Sequence, residues 1–178
     1  FNFMDGFPPE VESRVGYELL KKGFPEGSLA PTYIYFTREE GDIRSKQSAI
    51  DAIVDSIQVH PRVTRLDGTS APSSLEIDGF DIGEVFANRY DSSDGTTIRM
   101  HAVLDGDPFS EKSLNTIGEL RSEINNTLLE VHQSGIKVLL GGESAIGFDN
   151  KSALDRDMRV LAPIILAAIL LVLIVLQR

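Results

Sequence analysis

The chain has 178 residues, 42% of them hydrophobic and 25% charged, with a formal net charge of −10 and no cysteine. The acidic balance excludes a nucleic-acid binder, which needs clustered Lys and Arg to displace counterions from phosphates. The lack of cysteine excludes disulfides, zinc–thiolate centres and a cysteine nucleophile. Most of the length is available for one domain with a core of its own.

The first third of the chain alternates helical and extended patterns. Pro8-Pro9 opens a predicted helix over residues 8–23. Aromatic and β-branched residues over 31–37 predict a strand, a helical apolar period marks 45–58, and a short strand follows over 62–66. The apolar stripe of the first helix has a spacing of four: Val11, Val15 and Leu19.

The middle of the chain is less regular. Residues 69–74 are predicted as a loop, 82–90 as a short helix and 91–95 as a tight turn. Residues 96–104 then alternate, which predicts a strand with one buried face. The inward side chains of that strand are Ile98, Met100, Ala102 and Leu104, and the outward ones are Arg99 and His101.

The last third predicts a helix over 110–133 with Ser110 as its N-cap, a strand over 136–140, and a helix from Ser144 onward. The order strand, helix, strand, strand, helix, strand is the split βαβ plan. We therefore predict an α+β, ferredoxin-like βαββαβ domain whose two helices cover one face of an antiparallel sheet. An extra helix lies at its N-terminal side.

The C-terminal segment 160–176 has no charge and no strongly polar side chain. A buried core helix would show a polar stripe, and this segment has none, so it predicts a membrane-spanning helix at the short end of the usual range. Arg159 and Arg178 flank it, and the charges leave its orientation open. We expect a domain over 1–157, a transmembrane helix over 158–178, and a fragment of a longer membrane protein.

Chemistry-bearing residues form no recognisable catalytic, metal or cofactor site, so no enzyme is predicted and substrate-binding residues stay unassigned. No two histidines share a metal-ligand spacing, and all are expected at the surface: His60, His101 and His132. Four acidic residues miss the EF-hand pattern and are expected in turns: Asp91, Asp94, Asp105 and Asp107. Four aromatic residues are candidates for core packing or a substrate path: Tyr33, Tyr35, Phe80 and Phe86.

Three segments, in order along the chain, carry a family resemblance. They are Phe7-Pro8-Pro9-Glu10 with Ser13-Arg14-Val15-Gly16-Tyr17-Glu18-Leu19-Leu20, then Phe24-Pro25-Glu26-Gly27-Ser28-Leu29-Ala30-Pro31-Thr32, then Gly141-Gly142-Glu143-Ser144-Ala145 with Asp149 and the apolar span. Together they resemble the extracytoplasmic domains of the MMPL branch of the RND transporter superfamily. Residues 67–95 carry no match.

The resemblance implies a multi-pass exporter in the cell membrane that uses proton influx to move lipids or other hydrophobic molecules. The chain would be one of its two porter domains, with residues 1–157 on the extracytoplasmic side, and the start of the second or eighth membrane helix. Proton-relay residues would lie outside this chain. Expected partners are membrane lipids, a hydrophobic or amphiphilic substrate, the remaining membrane helices and the second porter domain, while homo-oligomerisation stays open.

Two other functions remain as alternatives, a membrane-tethered ligand-binding or sensor domain and the extracytoplasmic domain of an ABC-type permease. An anchored hydrolase fits less well because no catalytic constellation can be assembled. In the exporter, tilting of the membrane helix is expected to reach the sheet through Gly141-Gly142. A flexible linker inserted near Asn150 should then abolish transport and leave the domain folded.

Overall fold

The computed structural model describes residues 6–68, 90–131 and 135–177. The predicted loop over 69–74 and nearly all of the predicted helix over 82–90 lie outside the described residues. Short 3₁₀ turns precede β1 and α2, at Glu26–Ser28 and Ile43–Lys46. The main elements, in chain order, are α1 Glu12–Gly23, β1 Thr32–Thr37, α2 Gln47–Gln58, β2 Val63–Asp67, β3 Thr97–Leu104, α3 Glu111–Glu130, β4 Lys137–Gly141 and α4 Glu143–Leu176.

The four strands form one sheet in the order β2-β3-β1-β4. All neighbours are antiparallel, with Ile34 of β1 opposite Met100 of β3 on one side and Leu140 of β4 on the other. Strand β3 thus lies between β1 and β2, and β1 lies between β3 and β4, so each βαβ unit is split by a strand of the other. The predicted ferredoxin-like arrangement is confirmed.

The core fills the space between one face of the sheet and helices α2 and α3. Every side chain predicted to point inward from β3 is buried. Ser110 caps α3 as predicted, because its side chain accepts a hydrogen bond from the Ser113 N–H. The largest fully buried side chains include Phe36, Ile34, Ile43, Ile50, Ile53, Ile57, Ile98, Met100, Ile117 and Leu120.

The opposite face of the sheet is half-buried and carries aromatic and cationic side chains. Tyr33 and Tyr35 alternate with the buried residues of β1, so they lie on this outer face and not in the core. The ring of His101 makes edge contacts with Tyr33 at 4.9 Å and with Tyr90 at 5.6 Å, centroid to centroid. Phe80 and Phe86, the other two candidate aromatics, lie outside the described residues.

Helix α1 lies within the predicted residues 8–23, and most of its apolar stripe faces away from the domain. Tyr17 is its one buried residue, whereas Val15 is 44% and Leu19 is 61% exposed. The inward side contacts the domain through Tyr17 and Lys21. The Tyr17 hydroxyl donates to Asp107 Oδ1 at 2.9 Å, and its ring lies edge-on to that of Phe109 at 5.4 Å, while Lys21 lies 3.6 Å from the Asp107 carboxylate. A spacing of four shows which residues share a face and leaves open which face meets the domain.

Helix α4 runs from Glu143 to Leu176 without a break, and its C-terminal half is apolar on every side. An 18-residue window of it has a mean hydropathy of 2.9, and none of that window is buried. Eighteen residues of helix extend over about 27 Å, close to the thickness of a bilayer core. The predicted C-terminal apolar helix is therefore present, long enough to cross a membrane.

Candidate functional site at the junction of the sheet and the apolar helix

The junction begins at Gly142, the single residue that connects β4 to α4. Its backbone has φ = +96° and ψ = 177°, a region that essentially only glycine occupies. A Cβ at this position would lie 2.8 Å from the carbonyl oxygen of Pro31. The direction in which α4 leaves the sheet is therefore set by a tight turn that requires glycine.

The first turn of α4 is buried against the loop that leads into α3. Ser144 is 1% exposed, and its hydroxyl donates to the Pro108 carbonyl oxygen at 2.7 Å. Ala145, also 1% exposed, belongs to the main core. The Gly-Gly-Glu-Ser-Ala segment thus ties the start of the helix to the body of the domain.

Helices α3 and α4 then pack closely through a glycine on each. A Cβ on Gly147 of α4 would lie 2.6 Å from Leu114 Cδ2, and a Cβ on Gly118 of α3 would lie 2.9 Å from Phe148 Cε2. Each glycine makes room for a large side chain of the other helix, as in ridges-into-grooves packing. This contact holds α4 against α3 beyond its first turn.

Two ion pairs extend the same contact toward the apolar half of the helix. The Arg121 guanidinium donates to both carboxylate oxygens of Asp149 and lies 5.4 Å above the Phe148 ring. The hydrogen bond from Arg121 holds the pKa of Asp149 below its usual value. Lys151 donates to Glu111 Oε1 at 2.6 Å. Exposed pairs contribute little stability, but the bidentate geometry restricts how α4 can rotate.

An apolar groove of about 480 Å³ lies on the flank of α4, beside these contacts. It is close to the apolar segment, since Leu154 precedes Val160 by less than two helical turns. The ion pair of Lys151 and Glu111 borders it. Its apolar lining comes from both helices and the preceding loop: Phe109, Leu114, Ile146 and Leu154.

His60 is more buried than the surface placement that the sequence predicted, whereas His101 lies on the outer face of the sheet, as the alternation of β3 predicted. The His60 side chain is 9% exposed, with Nε2 at 3.5 Å from Glu119 and Nδ1 accepting from the Arg62 N–H. His101 lies between tyrosine rings on the outer face of the sheet. The prediction for His60 failed because this residue follows the amphipathic helix α2, where polarity alone does not show exposure. His132 lies outside the described residues.

The acidic residues near the glycines form turns. Asp94 Oδ1 accepts from the Ser92 hydroxyl and from both the N–H and the hydroxyl of Thr96, and these bonds lower its pKa to about 2. Asp107 Oδ1 accepts from the Phe109 N–H as well as from Tyr17. Within the described ranges, no three acidic or histidine side chains are grouped as metal ligands.

The family model described as MMPL family matches residues 5–178. The chain belongs to the MMPL family. This MMPL chain is 29% identical over 167 residues to a putative membrane protein of Streptomyces coelicolor, with 94% of this chain and 17% of that protein covered. It is 24% identical over 181 residues to the apo-petrobactin exporter of Bacillus anthracis, with 100% and 21% covered.

A third relative is the sulfolipid-1 exporter of Mycobacterium tuberculosis, 23% identical over 166 residues, with 86% of this MMPL chain and 15% of that protein covered. The chain thus spans about a fifth or less of the length of these relatives. Two of them are named as exporters, of different molecules. The matched range includes the folded domain, the junction and nearly all of the apolar helix.

Proposed function

We propose that this chain is the extracytoplasmic porter domain of a proton-driven, RND-type MMPL exporter of lipids or other hydrophobic molecules, together with the start of the next membrane helix. Residues 1–157 form the porter domain and 158–178 belong to the transmembrane helix. The observation that carries the proposal is the uninterrupted α4, which packs on the domain over its first turns and is apolar and exposed over the rest.

The junction supports coupling between membrane and domain. Gly142 fixes the exit of the helix, the paired glycines hold it against α3, and Arg121 with Asp149 restricts its rotation. Helix α4 is continuous and contains Pro163, and we infer that a tilt of its membrane half is transmitted through these fixed points to α3 and β4. Transport by gating of this kind needs no covalent chemistry in the domain.

The groove on the flank of α4 supports an apolar cargo. Its lining is mainly carbon, and its volume of about 480 Å³ is ample for an alkyl chain or a comparable apolar group. It lies near the predicted start of the span, where lipids and amphiphilic molecules concentrate. Partners in this function are membrane lipids, the transported molecule, the remaining membrane helices and the second porter domain.

The coupling is tested by inserting about two turns of residues between Asp157 and Met158 in the full-length protein. This point lies beyond the Lys151 and Leu154 contacts, so it replaces the position near Asn150 that the sequence suggested. A Gly-Ser insertion should abolish export, and an all-Ala insertion of equal length, which keeps the helix, should retain much more. Equal export by the two variants would contradict rigid coupling.

The cargo class is tested by deleting the parent gene and comparing cell-associated and released molecules by mass spectrometry. We expect one hydrophobic or amphiphilic class to accumulate in the cell and to fall outside it, with restoration by the wild-type gene. Dissipating the proton gradient should block release in the complemented strain. Unchanged release of every such class after deletion would refute the exporter.

A further inference from the structure

The apolar side of helix α1 is exposed to solvent, whereas a surface helix normally packs its apolar side against the core. Its outward side carries Val15, Leu19 and Leu20, with exposures of 44%, 61% and 45%, and Phe24, just after the helix, is 59% exposed. Its inward side makes polar contacts through Tyr17 and its neighbours. An apolar face turned outward marks a surface that another apolar surface covers.

Two glycines of α1 have open space around them, Gly16 in the middle of the helix and Gly23 at its end. A Cβ on Gly16 or on Gly23 would meet nothing within 4 Å. Alanine in a helix interior is more favourable than glycine, so Gly16 weakens the helix without relieving any contact described here. A glycine between exposed apolar side chains is what the close approach of a second helix requires.

The size of this face argues against a second copy of the chain as its occupant. A helix of 12 residues is about 18 Å long, and one side of it falls well short of the roughly 800 Å² per partner that a stable dimer buries. A partner within the same polypeptide does not need that area, because tethering raises its effective concentration. The relatives are several times longer than this chain, which leaves ample room for such a partner.

We propose that the outward face of α1, formed by Val15, Gly16, Leu19, Leu20 and Phe24, docks an apolar helix from another part of the same polypeptide. The inference rests on the proposed function only in taking the chain as part of a longer MMPL protein. It assigns α1 as an intramolecular interface: its polar side holds the domain, and its apolar side holds the rest of the protein.

The test uses thiol accessibility in the full-length protein in native membranes, with any cysteines elsewhere in the parent replaced. The described chain has no cysteine, so Leu19→Cys and Glu18→Cys each add a single thiol. Both residues are exposed in the domain. We expect maleimide–polyethylene glycol to label Leu19→Cys at least about ten-fold more slowly than Glu18→Cys, and both equally in denaturant. Equal labelling in native membranes would overturn the proposal.

A second variant tests whether the occupant packs closely at Gly16. Gly16→Leu, added to Leu19→Cys, should raise labelling to the Glu18→Cys level, whereas Glu18→Leu, at an exposed position of the same helix outside this face, should not. Failure of Gly16→Leu to increase labelling would exclude a closely packed helix. An oxidant-induced disulfide between two copies of Leu19→Cys would identify a second copy instead and overturn the proposal. Slow labelling in a protein that exports nothing would refute the exporter and leave this interface standing.

Discussion

Replacing Gly142 with alanine should destabilise the protein at the junction of β4 and α4. Alanine at φ = +96° and ψ = 177° occupies a glycine-only region, which costs on the order of 1–3 kcal/mol. The new Cβ also meets the Pro31 carbonyl oxygen at 2.8 Å, and a backbone atom cannot rotate away as a side chain would. Overpacking of this kind adds about 1–3 kcal/mol, so we expect a total near 4 kcal/mol.

Gly106 provides the matched control, because it also has a positive φ, +91°, but a Cβ there would meet nothing within 4 Å. Gly106→Ala should therefore cost only about 1–2 kcal/mol. The assay is urea unfolding in detergent, followed by the near-ultraviolet circular dichroism of the tyrosines. With a slope of about 2 kcal/mol per molar urea, the midpoint should fall by about 2 M for Gly142→Ala and by less than about 1 M for the control. Equal midpoints would refute the role given to the Pro31 contact.

Three further predictions concern the junction and the apolar helix. Ser144→Ala leaves the buried Pro108 carbonyl without its donor and should cost about 1–3 kcal/mol in the same urea assay, whereas Ser152→Ala, at an exposed position, should change nothing. Because Arg121 lowers the pKa of Asp149, the wild type should exceed Asp149→Asn in stability above about pH 4 and lose that small advantage as the pH falls through the lowered pKa. A constant difference from pH 7 to pH 2 would contradict the ion pair. Each Leu of the span favours membrane insertion by about 0.5 kcal/mol, and an Arg at its centre opposes insertion by about 3 kcal/mol. Leu166→Arg combined with Leu170→Arg should therefore abolish insertion, so that washing membranes with alkaline carbonate extracts the chain. Either substitution alone should leave the chain in the membrane fraction.

The sheet and the core were accessible from the sequence because their signals are local. Alternation along β3 placed Ile98 and Met100 inward, and the order of elements led to the ferredoxin-like plan. The apolar period of α1 was equally clear, but a period does not show which side of a helix meets the domain. That direction depends on Asp107, which is far from Tyr17 in sequence and hydrogen-bonds to it in the fold.

The contacts of the junction lay beyond sequence reasoning for a similar reason. In the sequence, Gly118 and Gly147 appear only as residues that destabilise their helices. Their role becomes clear in the fold, where each makes room for a large side chain of the other helix. Arg121 and Asp149 are 28 residues apart, and no pattern within either helix pairs them. The family resemblance drew attention to the Gly-Gly-Glu-Ser-Ala segment and to Asp149. It indicated where the junction lies in the sequence, but not which residues these side chains contact.

The packing of α4 on α3 also sets the rotation of the apolar half of α4 about the helix axis. Eighteen residues make about five full helical turns, so in a straight helix Phe148 lies directly in line with Leu166, and Asp149 with Ala167. If α4 stays straight through Pro163, the domain fixes the azimuth of its apolar half: Leu166 and Ala167 continue the side of the helix that faces α3, and the opposite side points away from it. A neighbouring membrane helix that packs on α4 meets a surface whose orientation was decided outside the bilayer.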